Sequence, residues 1–126
     1  MDNLALWYRR FGEPESVLQP EAGPPGELMP GNLRVRMLFS PINASDLIPI
    51  TGAYRHRTPL PAVAGYEGVG IVTQAPASFA HLSGCRVLPL RGQGTWQHVV
   101  DCPAEYAIPV PEHIDSHLAA RAYINP

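Results

Sequence analysis

The densest group of chemically distinctive residues in this 126-residue chain is the run Gly65-Tyr66-Glu67-Gly68-Val69-Gly70. A glycine-rich turn that holds a dinucleotide has the order G-x-G-x-x-G, follows a strand and opens a helix, so that helix amides reach the phosphates. Here the order is G-x-x-G-x-G, and the sequence continues as a β-type run to Thr73. We therefore expect these glycines to provide a tight turn or close strand packing.

The side chains that prefer metal ions are few and poorly spaced for coordination. Cys85 and Cys102 form no C-x-x-C pair, and two thiols cannot build a four-thiolate zinc site. His113 and His117 are four residues apart, but Asp115, an expected helix cap, lies between them. The sequence predicts no metal site. It also predicts two reduced thiols, because no secretion signal accompanies them.

The charge balance and the hydropathy pattern exclude several classes of partner. Nine basic and eleven acidic residues leave a net charge of −2, which gives no broad field for nucleic acid or anionic lipid. The start, Met1-Asp2-Asn3-Leu4, lacks the basic and apolar segments of a signal peptide. No apolar stretch approaches the roughly 20 residues that a membrane helix needs. We expect a cytoplasmic chain without membrane or nucleic-acid partners.

Fifteen prolines and eleven glycines interrupt the chain often, which favours short strands and turns over long helices. In residues 32–40, Leu33, Val35, Met37 and Phe39 alternate with mostly polar neighbours, the clearest strand pattern in the chain. Further expected elements are strands over 4–8, 68–73, 86–90, 94–100 and 106–110, short helices over 43–48 and 116–126, and a loop over 19–31. Several short strands at about ten-residue spacing indicate an all-β barrel or sandwich.

Five segments, taken together and in order, resemble the N-terminal GroES-like catalytic domain of the medium-chain dehydrogenase/reductase superfamily. They are Asn43-Ala44-Ser45-Asp46, Gly65 to Gly70, Arg86-Val87-Leu88-Pro89, Gly94-Thr95-Trp96 and Ala119 to Pro126. The resemblance implies a mainly β fold over residues 1–126, a partly open GroES-like barrel with a few short helices. It also implies that residues 115–126 begin the connection to a Rossmann nucleotide-binding domain that is not in this chain.

The zinc alcohol dehydrogenases of this superfamily carry a Cys where this chain has Asn43. They carry a Gly-His-Glu motif where it has Gly65-Tyr66-Glu67. Both metal ligands are thus replaced, by Asn43 and Tyr66, and the resemblance points to the zinc-independent branches. The role of Glu67 stays open: it is either a buried acid paired with a base such as Arg86, or a surface residue.

Among the zinc-independent branches, the run from Ile42 to Tyr54 and the element Gly94-Thr95-Trp96 look most like the 2-enoyl thioester reductases. This resemblance implies that Tyr54 is the catalytic proton donor. It further implies that Asn43 contacts the cofactor and that Trp96 contacts the substrate. The ordinary alternatives are a solvated loop tyrosine for Tyr54, helix capping for Asn43 and plain packing for Trp96.

A small basic run, Arg55-His56-Arg57, follows Tyr54. Arg55 could bind the phosphates of a thioester carrier, either CoA or an acyl carrier protein, because guanidinium groups pair well with phosphate. A solvated loop is the alternative interpretation of this run.

The sequence therefore predicts the catalytic domain of an NADPH-dependent enoyl thioester reductase of the kind used in fatty acid synthesis, with the choice of NADPH over NADH left open. When hydride reaches C3 of the substrate, negative charge develops on the thioester oxygen, and a phenol can donate a hydrogen bond to it or supply the proton. The alternatives are a quinone oxidoreductase of the same superfamily and a non-catalytic GroES-like binding module. Because the other domain would hold most of the cofactor, we expect the isolated chain to be inactive. Self-association could cover an apolar face near Leu118, Ala119, Ala122 and Tyr123.

Overall fold

The computed structural model describes residues 2–122, in which eight strands, three short α-helices and four 3₁₀ segments occur. The strands are β1 (Asn3–Tyr8), β2 (Gln19–Gly23), β3 (Asn32–Phe39), β4 (Ala62–Val63), β5 (Val69–Gln74), β6 (Arg86–Leu88), β7 (Val99–Pro103) and β8 (Ile108–Pro109). The helices are α1 (Pro14–Val17), α2 (Ala44–Leu47) and α3 (Ser116–Ala119), and the 3₁₀ segments are Pro49–Thr51, Arg55–Arg57, Ala77–Leu82 and Ala104–Tyr106. The mainly β fold with a few short helices confirms the sequence prediction. No helix among these residues has the length and apolar character to cross a lipid bilayer.

The strands form two antiparallel sheets. The larger has the order β7-β3-β5-β6-β8 and the smaller has the order β2-β1-β4. The segment 94–98 links them, because the Leu6 amide of the smaller sheet donates to the Trp96 carbonyl at 3.0 Å and the Met37 amide of the larger sheet donates to the His98 carbonyl at 2.7 Å. Within residues 2–122 the strand ladders do not close into a ring. The architecture is therefore two sheets joined through one extended segment.

Strand β3 lies between β5 and β7 in the larger sheet. Its residues Leu33 and Val35 are fully buried, which confirms the predicted alternation over the first half of the strand. A register shift then falls between Met37 and Phe39, and Phe39 is 39% exposed. A bulge of this kind bends a strand and re-aims its side chains, so the simple alternation is lost there. Strand β3 thus ends in an irregular stretch that leads towards α2.

Several predicted strand boundaries are wrong. The stretch 19–31, expected to be a loop, contains β2, in which Pro20 lies opposite Leu6 of β1. Proline has no amide hydrogen to donate, but β2 is an edge strand and needs ladder bonds on one side only. The strand expected over 94–100 begins at Val99, because residues 94–98 bond to two different segments. The strand expected over 106–110 is reduced to β8 by the 3₁₀ turn before it.

Helix α3 begins where the sequence predicts. The Asp115 carboxylate accepts a hydrogen bond from the His117 amide at 2.8 Å, which confirms Asp115 as the cap. The predicted exposed apolar face is wrong at Ala119, which is buried with Val69 and Leu88, whereas Leu118 is exposed. The expected end of this helix at Pro126, and the side chain at position 123, lie outside the described residues.

The two cysteines are free thiols in contrasting surroundings. Cys85 is exposed and Cys102 is buried. Burial, with a smaller contribution from the charge of Asp101, raises the pKa of the Cys102 thiol to about 11. Because the thiolate is the reactive form, Cys102 is protected both by position and by protonation at neutral pH.

We therefore expect a thiol-specific disulfide reagent to modify one cysteine of the folded chain rapidly and both cysteines after denaturation. Cys85→Ser is the matched control, and it should abolish the rapid phase. Rapid modification of two thiols in the folded chain would contradict the buried position of Cys102.

Candidate active site

A buried carboxylate organises the region that the sequence analysis singled out. Asp46, in α2, is 2% exposed. One of its oxygens accepts a hydrogen bond from the Asn43 amide at 2.7 Å, and the other accepts from the Tyr66 amide at 3.0 Å. Buried carboxylates need such donors, and charge-assisted bonds of this kind are strong. Asp46 therefore ties the start of α2 to the chain just before β5.

Asn43 and Glu67 form the second buried contact of the region. The side-chain amide of Asn43 donates to a Glu67 carboxylate oxygen at 2.6 Å, and Glu67 is 3% exposed. This favours the interpretation of Glu67 as a buried acid over that of a surface residue. Arg86, named as a candidate base, donates instead to the Ser116 hydroxyl and to backbone carbonyls, including that of Pro111. Asn43 also occupies the N-cap position of α2, which agrees with the alternative interpretation of Asn43 as a helix-capping residue.

The glycine cluster is a packing feature, as the sequence predicts. Gly65 has φ of 98°, and a Cβ atom there would lie 2.5 Å from both the Thr95 hydroxyl and Cδ1 of Trp96. A Cβ at Gly70 would lie 2.5 Å from the carbonyl oxygen of Arg36, in the neighbouring strand. These contacts fix the backbone on both sides of Tyr66 and Glu67. As a result Glu67 is buried, whereas Tyr66 is 47% exposed.

Three tyrosines and one arginine share this region. Partial burial raises the pKa of the Tyr66 phenol. Electrostatic interactions with Tyr54 and Asp46 raise this pKa further, and the charge of Arg57 lowers it. Burial, followed by the charge of Tyr66, likewise raises the pKa of Tyr8. Tyr8 and Tyr66 are therefore protonated hydrogen-bond donors at neutral pH. The Arg57 guanidinium lies 4.4 Å from the centre of the Tyr54 ring.

A cavity of about 470 Å³ opens beside these residues. Aromatic side chains from Trp7, Tyr8 and Tyr66 form part of its wall. Its polar residues are Asp46, Arg57, Thr58, Gln93 and Gln97, and the remaining wall comes from prolines and from small and aliphatic residues of 62–65 and 92–94. A largely apolar space with a few convergent donors is typical of small-molecule sites. The cavity can therefore hold an uncharged reactive group and supply hydrogen bonds to it.

Trp96 lies on a second, more apolar groove. This groove of about 450 Å³ is lined by residues of β1, β3 and the segment 95–98. The indole N–H of Trp96 donates to the Pro41 carbonyl at 3.3 Å. Gln97 is common to the walls of both spaces, so the 94–98 segment separates them. The structure therefore brings Tyr54 near Tyr66 and Arg57 but places Trp96 on another groove.

Arg55 is not among the residues that line the 470 Å³ cavity. Its Nε donates to the Gly52 carbonyl at 3.0 Å, and its guanidinium lies 5.7 Å from the centre of the Phe11 ring. Arg57 is the member of the basic run that lines the cavity. Phosphate binding by Arg55 therefore stays a prediction, and Arg57 is a basic site residue that sequence reasoning did not single out.

Sequence reasoning also missed the central role of Asp46. Its position three residues after Asn43 shows only a cap, because the contact with the Tyr66 amide joins residues twenty positions apart. Among residues 2–122, no three His, Cys, Asp or Glu side chains meet in a group that could hold a metal ion. The expected absence of a metal stays a prediction.

The chain matches the alcohol dehydrogenase GroES-like domain over residues 29–112. It is 39% identical over 117 residues to the mitochondrial enoyl-[acyl-carrier-protein] reductase of Arabidopsis thaliana. The aligned region covers 82% of this chain but only 31% of that protein. The human protein of the same name is 36% identical over 124 residues, which cover 97% of this chain and 33% of that protein. The chain therefore spans about a third of the length of these curated relatives. Because they are mitochondrial by name, a cytoplasmic location for this chain stays a prediction.

Solved structures give the same picture of the fold. A Bacillus thuringiensis protein, provisionally described as an NADPH:quinone reductase, is 50% identical to this chain and superimposes on it with a TM-score of 0.95. The match covers all of this chain and 38% of that protein. Etr1p, solved in complex with NADP and crotonyl-CoA, is 25% identical with a TM-score of 0.84, over all of this chain and 41% of that protein. The chain thus resembles one part of larger proteins, of which Etr1p was solved with a nicotinamide cofactor and an enoyl thioester.

Proposed function

Because the chain belongs to the alcohol dehydrogenase GroES-like domain family, within the medium-chain dehydrogenases and reductases, we propose that it is the catalytic domain of a longer NADPH-dependent reductase. The substrate class is enoyl thioesters, and the reaction saturates their C2=C3 bond. The curated relatives named as enoyl reductases support this, as does the structure that contains crotonyl-CoA. Because the chain covers about a third of these relatives, a second domain would follow, with residues 115–126 as the connection.

The residues around Asn43 fit contact with the nicotinamide end of NADPH, which when bound supplies the hydride. Ile42 is 78% exposed, and Ile48 is also exposed, so apolar surface flanks the polar Asn43. The glycines of 65–70 are packed against neighbouring segments and do not form an open loop for the phosphates of the cofactor. We therefore assign contact with the nicotinamide or its ribose to Asn43 and phosphate binding to the other domain.

The observation that carries the proposal is the position of Tyr66 and Arg57 on the wall of the 470 Å³ cavity, with the Tyr54 ring 4.4 Å from the Arg57 guanidinium. Saturation of an enoyl thioester needs a proton at C2 after hydride has reached C3. A phenol is a suitable donor, and we assign this step to Tyr54. The Arg57 guanidinium over the Tyr54 ring places positive charge where a phenolate would form.

The carrier and the acyl chain have separate places in this proposal. Arg55 and Arg57 lie on an exposed 3₁₀ turn, where the phosphates of CoA or of an acyl carrier protein could reach them. Trp96 lines the apolar groove, so its proposed contact with substrate requires that an acyl chain extend into that groove. The reactive carbons would stay in the cavity beside Tyr66.

The proposal is tested with the full-length protein encoded by the gene that carries this chain. The loss of NADPH is followed with crotonyl-CoA and, in parallel, with a simple quinone, and butyryl-CoA is identified as the product. We expect NADPH loss to match butyryl-CoA formation and thioester turnover to exceed quinone turnover. Turnover confined to the quinone would contradict the proposal.

A quinone reductase is the second candidate function, favoured by the 50% identity to the Bacillus thuringiensis protein. The cavity suits it in one respect, because a quinone needs flat apolar walls such as Trp7, Tyr8 and Tyr66. It would not require proton delivery by Tyr54, so the same comparison of acceptors distinguishes the two candidates.

A further inference from the structure

On the basis of the proposed enoyl reductase function, we propose that Tyr66 is a second catalytic phenol at this site. Tyr66 donates its hydroxyl hydrogen bond to the thioester carbonyl oxygen as negative charge develops there. Tyr54 then supplies the proton to C2. The two demands of the reaction, charge stabilisation and proton delivery, are in this way divided between two neighbouring tyrosines.

The position of Tyr66 supports contact with substrate. Of these two tyrosines, Tyr66 lines the 470 Å³ cavity, together with Arg57 and Gln97. Nearly half of its surface is exposed, so its ring can meet a bound molecule. Tyr54 is half-buried and lies close enough for its charge to affect Tyr66. The proposal therefore requires a substrate that contacts Tyr66 and Arg57 on the cavity wall and reaches the neighbouring Tyr54.

The backbone at Tyr66 is held in place more firmly than its exposure suggests. Its amide donates to the buried carboxylate of Asp46 at 3.0 Å. The preceding residue, Gly65, has no room for a Cβ atom beside Trp96 and adopts a positive φ that other residues avoid. A donor that stabilises developing charge acts best when its position is fixed before the reaction begins. Tyr66 meets this requirement through Asp46 and Gly65.

The charges around Tyr66 suit a hydrogen-bond donor that keeps its proton. Asp46 and Tyr54 oppose ionisation of its phenol, as does partial burial, and Tyr8 lies on the same cavity wall. Among the described residues, Arg57 is the cation whose charge acts on Tyr66, and it lowers the pKa of this phenol. A neutral phenol can donate to an enolate oxygen throughout the reaction, whereas a phenolate would repel it.

Atoms and electrons balance in this reaction. The hydride forms the new C–H bond at C3, the C2=C3 π pair forms the C1=C2 bond, and the carbonyl π pair moves onto oxygen, where the Tyr66 hydroxyl hydrogen-bonds to it. The O–H bond of Tyr54 then breaks, its proton forms the new bond at C2 and the carbonyl is restored. The Tyr54 phenolate takes a proton from water. NADPH is oxidised and the thioester is reduced.

The test is Tyr66→Phe in the full-length protein, assayed with NADPH and crotonyl-CoA. We expect kcat to fall about 10- to 100-fold, less than for a fully buried oxyanion donor because Tyr66 is half exposed, while KM changes by less than about threefold. Tyr106→Phe is the matched control: it removes the same atom from a phenol that packs under Arg91, outside the cavity. This control should leave kcat unchanged.

Isotope effects separate a catalytic role from a structural one. Tyr66→Phe should increase the primary kinetic isotope effect on kcat, measured with NADPH that carries deuterium in place of the transferred hydrogen. The reason is that the variant slows hydride transfer, the step in which charge develops on the carbonyl oxygen. Tyr54→Phe should instead increase the solvent isotope effect, the ratio of kcat in H₂O to kcat in D₂O, because it slows the protonation of C2. A Tyr66→Phe variant with wild-type kcat and isotope effects would overturn the role of Tyr66 alone. A wild-type protein that leaves crotonyl-CoA unreduced would refute the proposed function first, and the role of Tyr66 with it.

Discussion

Tyr54→Phe in the full-length protein is expected to lower kcat for crotonyl-CoA by at least about 100-fold, the usual contribution of a positioned proton donor. The phenyl ring should keep its place, because the packing of Tyr54 against the Arg57 guanidinium uses the face of the ring and not the hydroxyl. Binding of the thioester should therefore change little, and the loss should fall on kcat. The measurement is steady-state NADPH oxidation, with thermal unfolding recorded for both proteins.

The control for Tyr54→Phe is again Tyr106→Phe, and the comparison with a quinone acceptor adds a second check. If Tyr54 serves only proton delivery, quinone turnover should survive its replacement. A variant that reduces crotonyl-CoA at the wild-type rate would remove Tyr54 from the mechanism. It would leave the quinone reductase as the better description of the protein.

Gly94→Ala is expected to lower the free energy of unfolding of this chain by about 3 kcal/mol or more. Gly94 has φ of 94°, where a residue with a Cβ atom loses about 1–2 kcal/mol. A Cβ there would also overlap the backbone carbonyl of Val63, and overpacking adds about 1–3 kcal/mol. Because the obstacle is backbone, a side-chain rotation cannot relieve it. The measurement is urea unfolding followed by tryptophan fluorescence.

Two other glycines provide matched controls for Gly94→Ala. Gly84 has φ of 81° but open space where a Cβ atom would lie, so Gly84→Ala should show the backbone cost alone, about 1 kcal/mol. Gly26 has neither a positive φ nor a neighbour within 4 Å of that position, so Gly26→Ala should change stability by less than about 0.5 kcal/mol. Equal losses at Gly94 and Gly84 would show that the contact with Val63 is unimportant.

The features that could be read from the sequence are those that depend on neighbours close along the chain. The alternation of Leu33 and Val35 and the cap at Asp115 both follow from local periodicity or local hydrogen bonding. Strand β2 was not predictable in this way, because Pro20 is tolerated only at the edge of a sheet and the sequence does not show which strands are edges.

The candidate site was predictable in part for the same reason. The roles of Tyr54 and Asn43 are predictions from a family resemblance, whereas the bond from the Tyr66 amide to Asp46 joins segments that meet only in the folded chain. The separation of Trp96 from the cavity depends on which way one extended segment turns its side chains. The resemblance placed Tyr54 and Trp96 at one site, whereas the fold puts Trp96 on the second groove and the Tyr54 ring against Arg57, which lines the cavity.

The segment 94–98 is a single stretch of chain that separates two chambers, the 470 Å³ cavity and the 450 Å³ groove. Trp96 faces one chamber and leans on Gly65, the residue just before Tyr66, while Gln97 contributes to both chambers. A larger side chain on one face of the segment 94–98 would displace the segment towards the chamber on its other face. We expect the two chambers to be coupled, because a shift of this segment that enlarges one chamber would narrow the other and would act on Tyr66 through Gly65.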